Sequence, residues 1–282
     1  MYANTTLDKI RQRLKPLSES NSLDAQVLLA HILNKSRSHI LAHPDTQLSK
    51  LQQKKLDAAL AQLESNIPLP YVLGHWEFYG LDFKINAATL IPRPETELLV
   101  DEALDWLDVH PEARLAADVG TGSGCIAITL AKQIAKLSLI ASDISPKALE
   151  IAQINAKNHQ VDQQIVFSLT NLLDGQGSVF DIICANLPYI PTGTLHTLKV
   201  FGREPTIALD GGVDGLDWIR RLVMNGCSHL ALGGLMLLEI DSSHGAAALS
   251  LAKDYFPQAN VRIIPDLSGR DRLMRIELPR TK

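Results

Sequence analysis

A chain of 282 residues is long enough for one large domain or two moderate ones. Hydrophobic residues make up 46% and charged residues 21%, ordinary for a globular protein, and no apolar run is long enough to span a membrane. A net charge of −4 and a pI near 6.1 argue against a chain that wraps nucleic acid, because neutralising phosphates takes clustered Lys and Arg.

Residues 1–70 read as helical. LDKIRQRLKPL, SLDAQVLLAHILN and LSKLQQKKLDAALAQLES place Leu, Val and Ile three and four residues apart. In the third segment Leu48, Leu51, Leu60 and Leu63 are expected on one face, with Ser49 and Gln52 as a capping box. The segment ends at Ser65-Asn66-Ile67-Pro68. His31, His39 and His43 are expected at the surface or partly packed, not as ligands. Such a small helical domain suits the docking of a partner.

Residues 71–91 change character. Alternating apolar and aromatic positions around Tyr79-Gly80 predict a hairpin linker. Pro92-Arg93-Pro94-Glu95-Thr96-Glu97 then fixes the backbone and opens an acidic helix start. Residues 92–282 form the third region, where strands alternate with helices. The strands are LAADV (115–119), LSLIASD (137–143), QIVFS (164–168), VFDIICA (179–185), LMLLEI (235–240), NVRII (260–264) and RLMRIEL (272–278). This alternation predicts an α/β fold, a Rossmann-like, mostly parallel seven-stranded sheet. The short SGRD connection before the last strand predicts that this strand is reversed, at the sheet edge.

The N-terminal MYANTTLDKI lacks the layout of a signal peptide. Cys125, Cys184 and Cys227 are scattered, with neither disulfide nor metal-ligand spacing. A reducing cytoplasm and a site without metal are the expectations.

The first strand of the sheet runs into Asp118-Val119-Gly120-Thr121-Gly122-Ser123-Gly124. Glycines at alternate positions let the backbone turn tightly and approach a ligand. The second strand ends at Asp143, about 20 residues on, where a carboxylate meets ribose hydroxyls. Ser145 and Pro146 fit an N-cap and first-turn pair. A glycine loop alone also serves as a tight turn for helix packing; loop, acid and capped helix together point to a nucleoside-bearing cofactor. An acid leading the loop suits a cofactor with an amino acid tail, and Asp118 can help bind the ammonium of S-adenosylmethionine directly or through water. After the third strand, the Asn171 carbonyl can accept from an adenine amino group and Leu172 can supply a backbone contact or an apolar wall.

The fourth strand delivers Asn186-Leu187-Pro188-Tyr189 to the carboxyl edge of the sheet, beside the glycine loop. Ligand crevices form at such edges. An amide or exocyclic amine nitrogen is a poor nucleophile and must be aimed. The Asn186 side-chain carbonyl and the Leu187 backbone carbonyl can hold its two N–H groups. Tyr189 can stack on the flat acceptor and Pro188 stiffens the turn. Asn186, Pro188 and Tyr189 are thus the catalytic candidates, acting by orientation with no strong general base. Adenine N6 and a glutamine amide both satisfy this geometry. Arg93, Glu95, Glu97, Arg203 and Glu204 either line the substrate mouth or order the IPRPETE loop, and ion pairs or helix caps are equally open for each. Glu239 either orients the Asn186 motif or is solvated.

PLPYVLGHWEFYGLDF, LIPRPETELLV, ADVGTGSGCIAI, SDISPKALEIAQINA, FDIICANLPYI, EPTIALDGGVDGLD, LLEI and DLSGRDR together resemble the HemK-type protein-(glutamine-N5) methyltransferases, across nearly the whole chain. The resemblance implies a helical domain that docks the release factor, a hairpin linker and a catalytic domain that binds S-adenosylmethionine and releases S-adenosylhomocysteine. It implies that the methyl acceptor is the glutamine of a Gly-Gly-Gln loop in peptide chain release factors, with no direct contact to nucleic acid. It assigns Gly120, Thr121, Gly122, Ser123, Gly124, Asp143 and Asn186 to the cofactor, and Asn186, Leu187, Pro188 and Tyr189 to the glutamine. Three positions depart from the family pattern. Leu187 replaces a proline, Asn171 replaces an acid, and His244 replaces a glutamine, in a peripheral and partly exposed place. Asn-Leu-Pro-Tyr itself is similar to the motif of rRNA adenine dimethylases. The competing readings are a ribosomal-protein glutamine methyltransferase, an N6-adenine methyltransferase and a non-catalytic binding module.

Overall fold

Leu7, Ile10 and Leu14 recur at helical spacing and line the buried face of the first helix, α1 (Ala3–Leu14). The structure is a computed structural model that describes residues 2–280. In its N-terminal unit α1 is followed by α2 (Asn21–Leu33), α3 (Arg37–Ala42), α4 (Lys50–Glu64) and α5 (Leu69–Leu73). Helices α3 and α5 are too short to show a period in sequence. The expected capping box opens α4: Gln52 N–H donates to Ser49 Oγ at 3.2 Å, and Ser49 N–H donates to Gln52 Oε1 at 2.9 Å. Leu60 and Leu63 are buried with Leu56 and Ala59, and Leu48 is buried just ahead of the helix. Leu51 is not on that face; it is 63% exposed. It precedes Leu60 by nine residues, which at 3.6 per turn is about half a turn out of phase.

The chain divides into two units between His75 and Trp76, inside the expected linker. The hairpin is shorter than the 71–91 segment, with strands β1 (His75–Phe78) and β2 (Leu81–Lys84). Tyr79 and Gly80 both take left-handed φ, 53° and 69°, as a tight two-residue turn between twisted strands requires. Phe78 and Phe83 are fully buried, each contributing roughly 1.5–3 kcal/mol of apolar burial. The tip is bolted to the next helix, α6 (Glu97–Val109): Tyr79 N–H donates to Glu97 Oε1 and its hydroxyl to Asp101 Oδ1, both at 2.7 Å. Glu97 therefore anchors the hairpin.

The second unit continues as β3 (Leu115–Val119), α7 (Cys125–Gln133), β4 (Ser138–Asp143), α8 (Pro146–Asn158), β5 (Ile165–Leu169) and β6 (Phe180–Ala185). Then come α9 (Thr192–Leu195), α10 (Asp217–His229), β7 (Leu230–Glu239), α11 (Gly245–Tyr255), β8 (Asn260–Pro265) and β9 (Asp271–Glu277). The seven strands form one sheet in the order β5-β4-β3-β6-β7-β9-β8. The order reverses direction between β3 and β6, which pair in parallel and end level, Val119 opposite Ala185.

The last strand is reversed, as its short connection predicts, but it is not at the edge. Strand β9 pairs antiparallel with both β7 and β8, leaving β8 outermost. The side chains explain the placement. Leu273, Met274, Arg275 and Ile276 of β9 are buried in succession, as an interior strand requires, whereas Asn260 and Arg262 of β8 are exposed. Among the described residues no helix is long and apolar enough to cross a membrane.

Candidate active site

Beyond β3 the chain must turn sharply into α7, and Gly120 (φ 75°) and Gly124 (φ 84°) take backbone angles that side chains disfavour. Gly124 also lets α7 and α8 close together, since a Cβ there would sit 2.8 Å from Ile128 Cδ1 and 3.2 Å from Ala152 Cβ. Buried Asn155 of α8 ties the end of β2 to this loop. Its Oδ1 accepts from Lys84 N–H at 2.8 Å, and its Nδ2 donates to the Lys84 and Ser123 carbonyls at 2.9 and 2.8 Å. Ser145 caps α8, accepting from Ala148 N–H at 3.2 Å with Pro146 at the first position, as expected.

Gly120, Thr121, Gly122 and Ser123 form one wall of an open cleft. Asp143, at the end of β4, also lines it. Its Oδ2 accepts from Gly122 N–H at 2.9 Å and its Oδ1 from Ser145 N–H at 2.8 Å. Burial raises this carboxyl against the lowering effect of those N–H groups. Each carboxylate oxygen keeps a lone pair for a hydroxyl in the cleft. Asn171 and Leu172 line the same cleft. Leu172 holds a left-handed φ of 55°, and its carbonyl accepts from Ser142 Oγ at 3.0 Å.

Asp118 lies behind the loop and does not line the cleft. It is fully buried, and its Oδ2 accepts from the Thr121 hydroxyl at 2.6 Å and from Ala127 N–H at 3.1 Å. Burial pushes its carboxyl up to about 6, with Thr121 and Ala127 opposing. Among the described residues its Oδ1 has no hydrogen-bond partner. Gly124 is likewise a packing position outside the cleft wall.

The opposite wall comes from the end of β6. Asn186, Leu187 and Pro188 line the cleft. Leu187 is 5% exposed and packs into the sheet core, filling the space beside Gly120, where a Cβ would meet its Cδ2 at 3.0 Å. An apolar side chain therefore occupies the departure from the family's proline. Tyr189 is set behind this wall, its hydroxyl donating to Glu239 Oε1 at 3.2 Å. Burial and the nearby Glu239 carboxylate raise the Tyr189 phenol well above its ordinary range. Glu239, at the end of β7, is buried and not solvated. Its Oε2 accepts from the Thr96 hydroxyl at 2.7 Å, and Thr96 Oγ1 accepts from Asn186 Nδ2 at 2.9 Å. Desolvation raises the Glu239 carboxyl, while the Thr96 and Tyr189 bonds lower it.

Two segments brace the motif. The backbone of 190–212 doubles back beside it: Ile190 N–H donates to the Leu209 carbonyl at 3.0 Å and Gly211 N–H to the Ile190 carbonyl at 2.8 Å. Gly211 is needed there because a Cβ would lie 2.7 Å from Tyr189 Cα. Buried Glu204 joins this segment to the IPRPETE stretch, accepting from Ile91 N–H at 3.1 Å and pairing with the Arg93 guanidinium. Arg93 lines the cleft, whereas Glu95 and Arg203 are exposed. His244 is buried at 8% exposure, against the expectation of a partly exposed side chain, and packs over Gly215.

Sequence reasoning missed Thr96, Ile207 and Trp218 in the cleft wall. Thr96 sits in a charged run and resembles a helix start; its burial between two polar motifs is visible only in three dimensions. Ile207 lies within EPTIALDGG, a segment whose distinctive pattern could have brought it to the site.

Residues 5–74 match the PrmC N-terminal domain, and residues 95–201 match the methyltransferase small domain. The fold is shared with the catalytic domain of hMettl16, solved with the MAT2A 3′UTR hairpin 6 (TM-score 0.57, 13% identical, 83% of each chain). It is also shared with a methyltransferase from Pyrococcus furiosus (TM-score 0.51, 15% identical, 82% of this chain and 100% of that one). The glycine loop, the acid that ends β4 and the sheet order place the chain in the methyltransferase class of α/β enzymes. Relatives named release factor glutamine methyltransferase match most of it. That of Moorella thermoacetica is 40% identical over 90% of both chains, and that of Koribacter versatilis is 39% identical over 90% of both. That of Coxiella burnetii is 37% identical over 94% of this chain and 95% of its own. This chain belongs to the release factor glutamine methyltransferase family.

Proposed function

We propose that this enzyme methylates the side-chain amide nitrogen of the glutamine in the Gly-Gly-Gln loop of peptide chain release factors, with S-adenosylmethionine as donor. The observation that carries the reading is the joining of the glycine loop and Asn186-Leu187-Pro188 in the walls of one cleft. The cofactor fits the groups present. Gly120 to Ser123 offer close backbone approach, Asp143 offers acceptors for ribose hydroxyls, and Asn171 and Leu172 offer a wall for a base. Asp118 supports this loop from behind, holding the Thr121 hydroxyl and Ala127 N–H. When bound, the cofactor supplies an electrophilic sulfonium methyl.

The protein's own part is positioning. The Asn186 and Leu187 carbonyls accept the two N–H groups of the glutamine amide and aim its nitrogen across the cleft. Tyr189 supports the motif from behind through Glu239. No general base is needed, because the nitrogen becomes acidic as it is methylated and passes its proton to solvent. The N-terminal unit, residues 2–75, docks the body of the release factor, and the enzyme works in the cytoplasm without contacting nucleic acid.

The test offers purified protein and labelled S-adenosylmethionine a release factor and ribosomal RNA together. Label is expected on the Gly-Gly-Gln peptide; label on RNA alone overturns the reading. Asn186→Ala is expected to lower transfer about a hundredfold or more, the scale of losing a key positioning hydrogen bond.

A further inference from the structure

The Asn186 side chain has two chemically opposite ends, a carbonyl that accepts and an amide that donates. Which end meets the substrate depends on what holds the other. Its Nδ2 donates to Thr96 Oγ1 at 2.9 Å. Thr96 has a single hydroxyl proton, and that proton is committed to Glu239 Oε2 at 2.7 Å. The second Glu239 oxygen is engaged by the Tyr189 hydroxyl at 3.2 Å. Donation therefore runs one way, from Asn186 to Thr96 to Glu239, and the chain ends in a carboxylate that only accepts.

We propose that Thr96, polarised by Glu239, is a positioning residue that locks the Asn186 amide with its carbonyl oxygen free for the methyl acceptor. This deepens, and rests on, the reading that Asn186 holds an amide nitrogen. A flipped Asn186 sets Oδ1 against a hydroxyl oxygen whose proton points elsewhere, two acceptors face to face. Thr96 and Glu239 are each 2% exposed, so water has little access to relieve the mismatch. The lock also sets selectivity. An outward carbonyl welcomes a group that donates N–H and repels a carboxylate, so Thr96 favours glutamine over glutamate through Asn186.

Thr96→Val keeps the shape and removes the hydroxyl; Thr96→Ser restores it. The wild type, both variants and Asn186→Ala are compared for methyl transfer to a Gly-Gly-Gln release factor and for S-adenosylmethionine binding by calorimetry. Thr96→Val is expected to lose about tenfold to a hundredfold in kcat, with cofactor Kd changed less than about twofold and Thr96→Ser recovering most of the loss. A second readout does not use turnover. The Asn186 side-chain amide protons, followed by nitrogen-edited NMR of the full chain, should show a hydrogen-bonded signal in the wild type and Thr96→Ser that is lost in Thr96→Val. Full kcat in Thr96→Val alongside an inactive Asn186→Ala overturns the lock and leaves the substrate reading standing. Should the wild type fail to methylate the release factor, the substrate reading falls, and an Asn186 signal unchanged in Thr96→Val overturns the lock separately. If Thr96→Val does not melt cooperatively, Thr96→Ala carries the same comparison.

Discussion

Asp118 shows how a residue that holds the glycine loop from behind can cost the fold stability. An unfolded chain ionises it near 3.8; burial moves it to about 6 in the native state. The raised value means that the native state holds its proton more tightly. This contribution to stability is complete below about pH 4 and is lost as pH rises through 6, a change of about 3 kcal/mol for a shift of this size. Asp118→Asn removes the titration. The variant's unfolding free energy minus that of the wild type should rise by about 2–3 kcal/mol between pH 4 and pH 8 in urea titrations. A difference that stays flat across that range would show that Asp118 does not titrate this way. The acid itself was legible from its place before the glycine loop; its burial was not, because position in a motif does not reveal which way a side chain points. Thr96 was hidden for the converse reason. A small hydroxyl among Pro, Glu and Glu carries no local sign that it meets residues from two other strand ends.

At the scale of elements, the parallel strands could be read directly, because their apolar runs are bounded by turn residues and separated by amphipathic helices. Strand β7 begins earlier than its apolar run, at Leu230, because Gly233 and Gly234 interrupt the pattern without ending the pairing. The place of β9 could not be read, since a short connection fixes direction but not neighbour. The EPTIALDGGVDGLD segment was legible as a resemblance only; its physical duty is to lie against the backbone of Tyr189 and Ile190. Gly211→Ala tests that duty. A Cβ there would press on Tyr189 Cα at 2.7 Å and on the Gly215 carbonyl at 2.8 Å, with no flexible side chain to yield. It is expected to cost roughly 1–3 kcal/mol and to lower kcat, read by thermal melting and turnover. Gly193→Ala, where nothing lies within 4 Å, should leave both nearly unchanged.

The whole molecule divides into two units with separate cores, Ile10, Leu28, Leu29 and Leu60 in one and the sheet with its helices in the other. If the first unit serves docking, residues 76–282 should still bind S-adenosylmethionine with near-native affinity by calorimetry, while kcat/KM for an intact release factor falls at least about tenfold. Equal kcat/KM for the fragment would remove the docking role. Within the second unit, the level ends of β3 and β6, Val119 beside Ala185, have a metric consequence. The glycine loop and the Asn186-Leu187-Pro188 motif leave the sheet side by side, about 4.8 Å apart at their roots, the fixed rung spacing of a β-ladder. The sheet thus acts as a ruler for the two cleft walls. Its gauge is set by backbone hydrogen bonds, so natural variation at 120 or 187 can adjust the fit of the walls but not the gap from which they start.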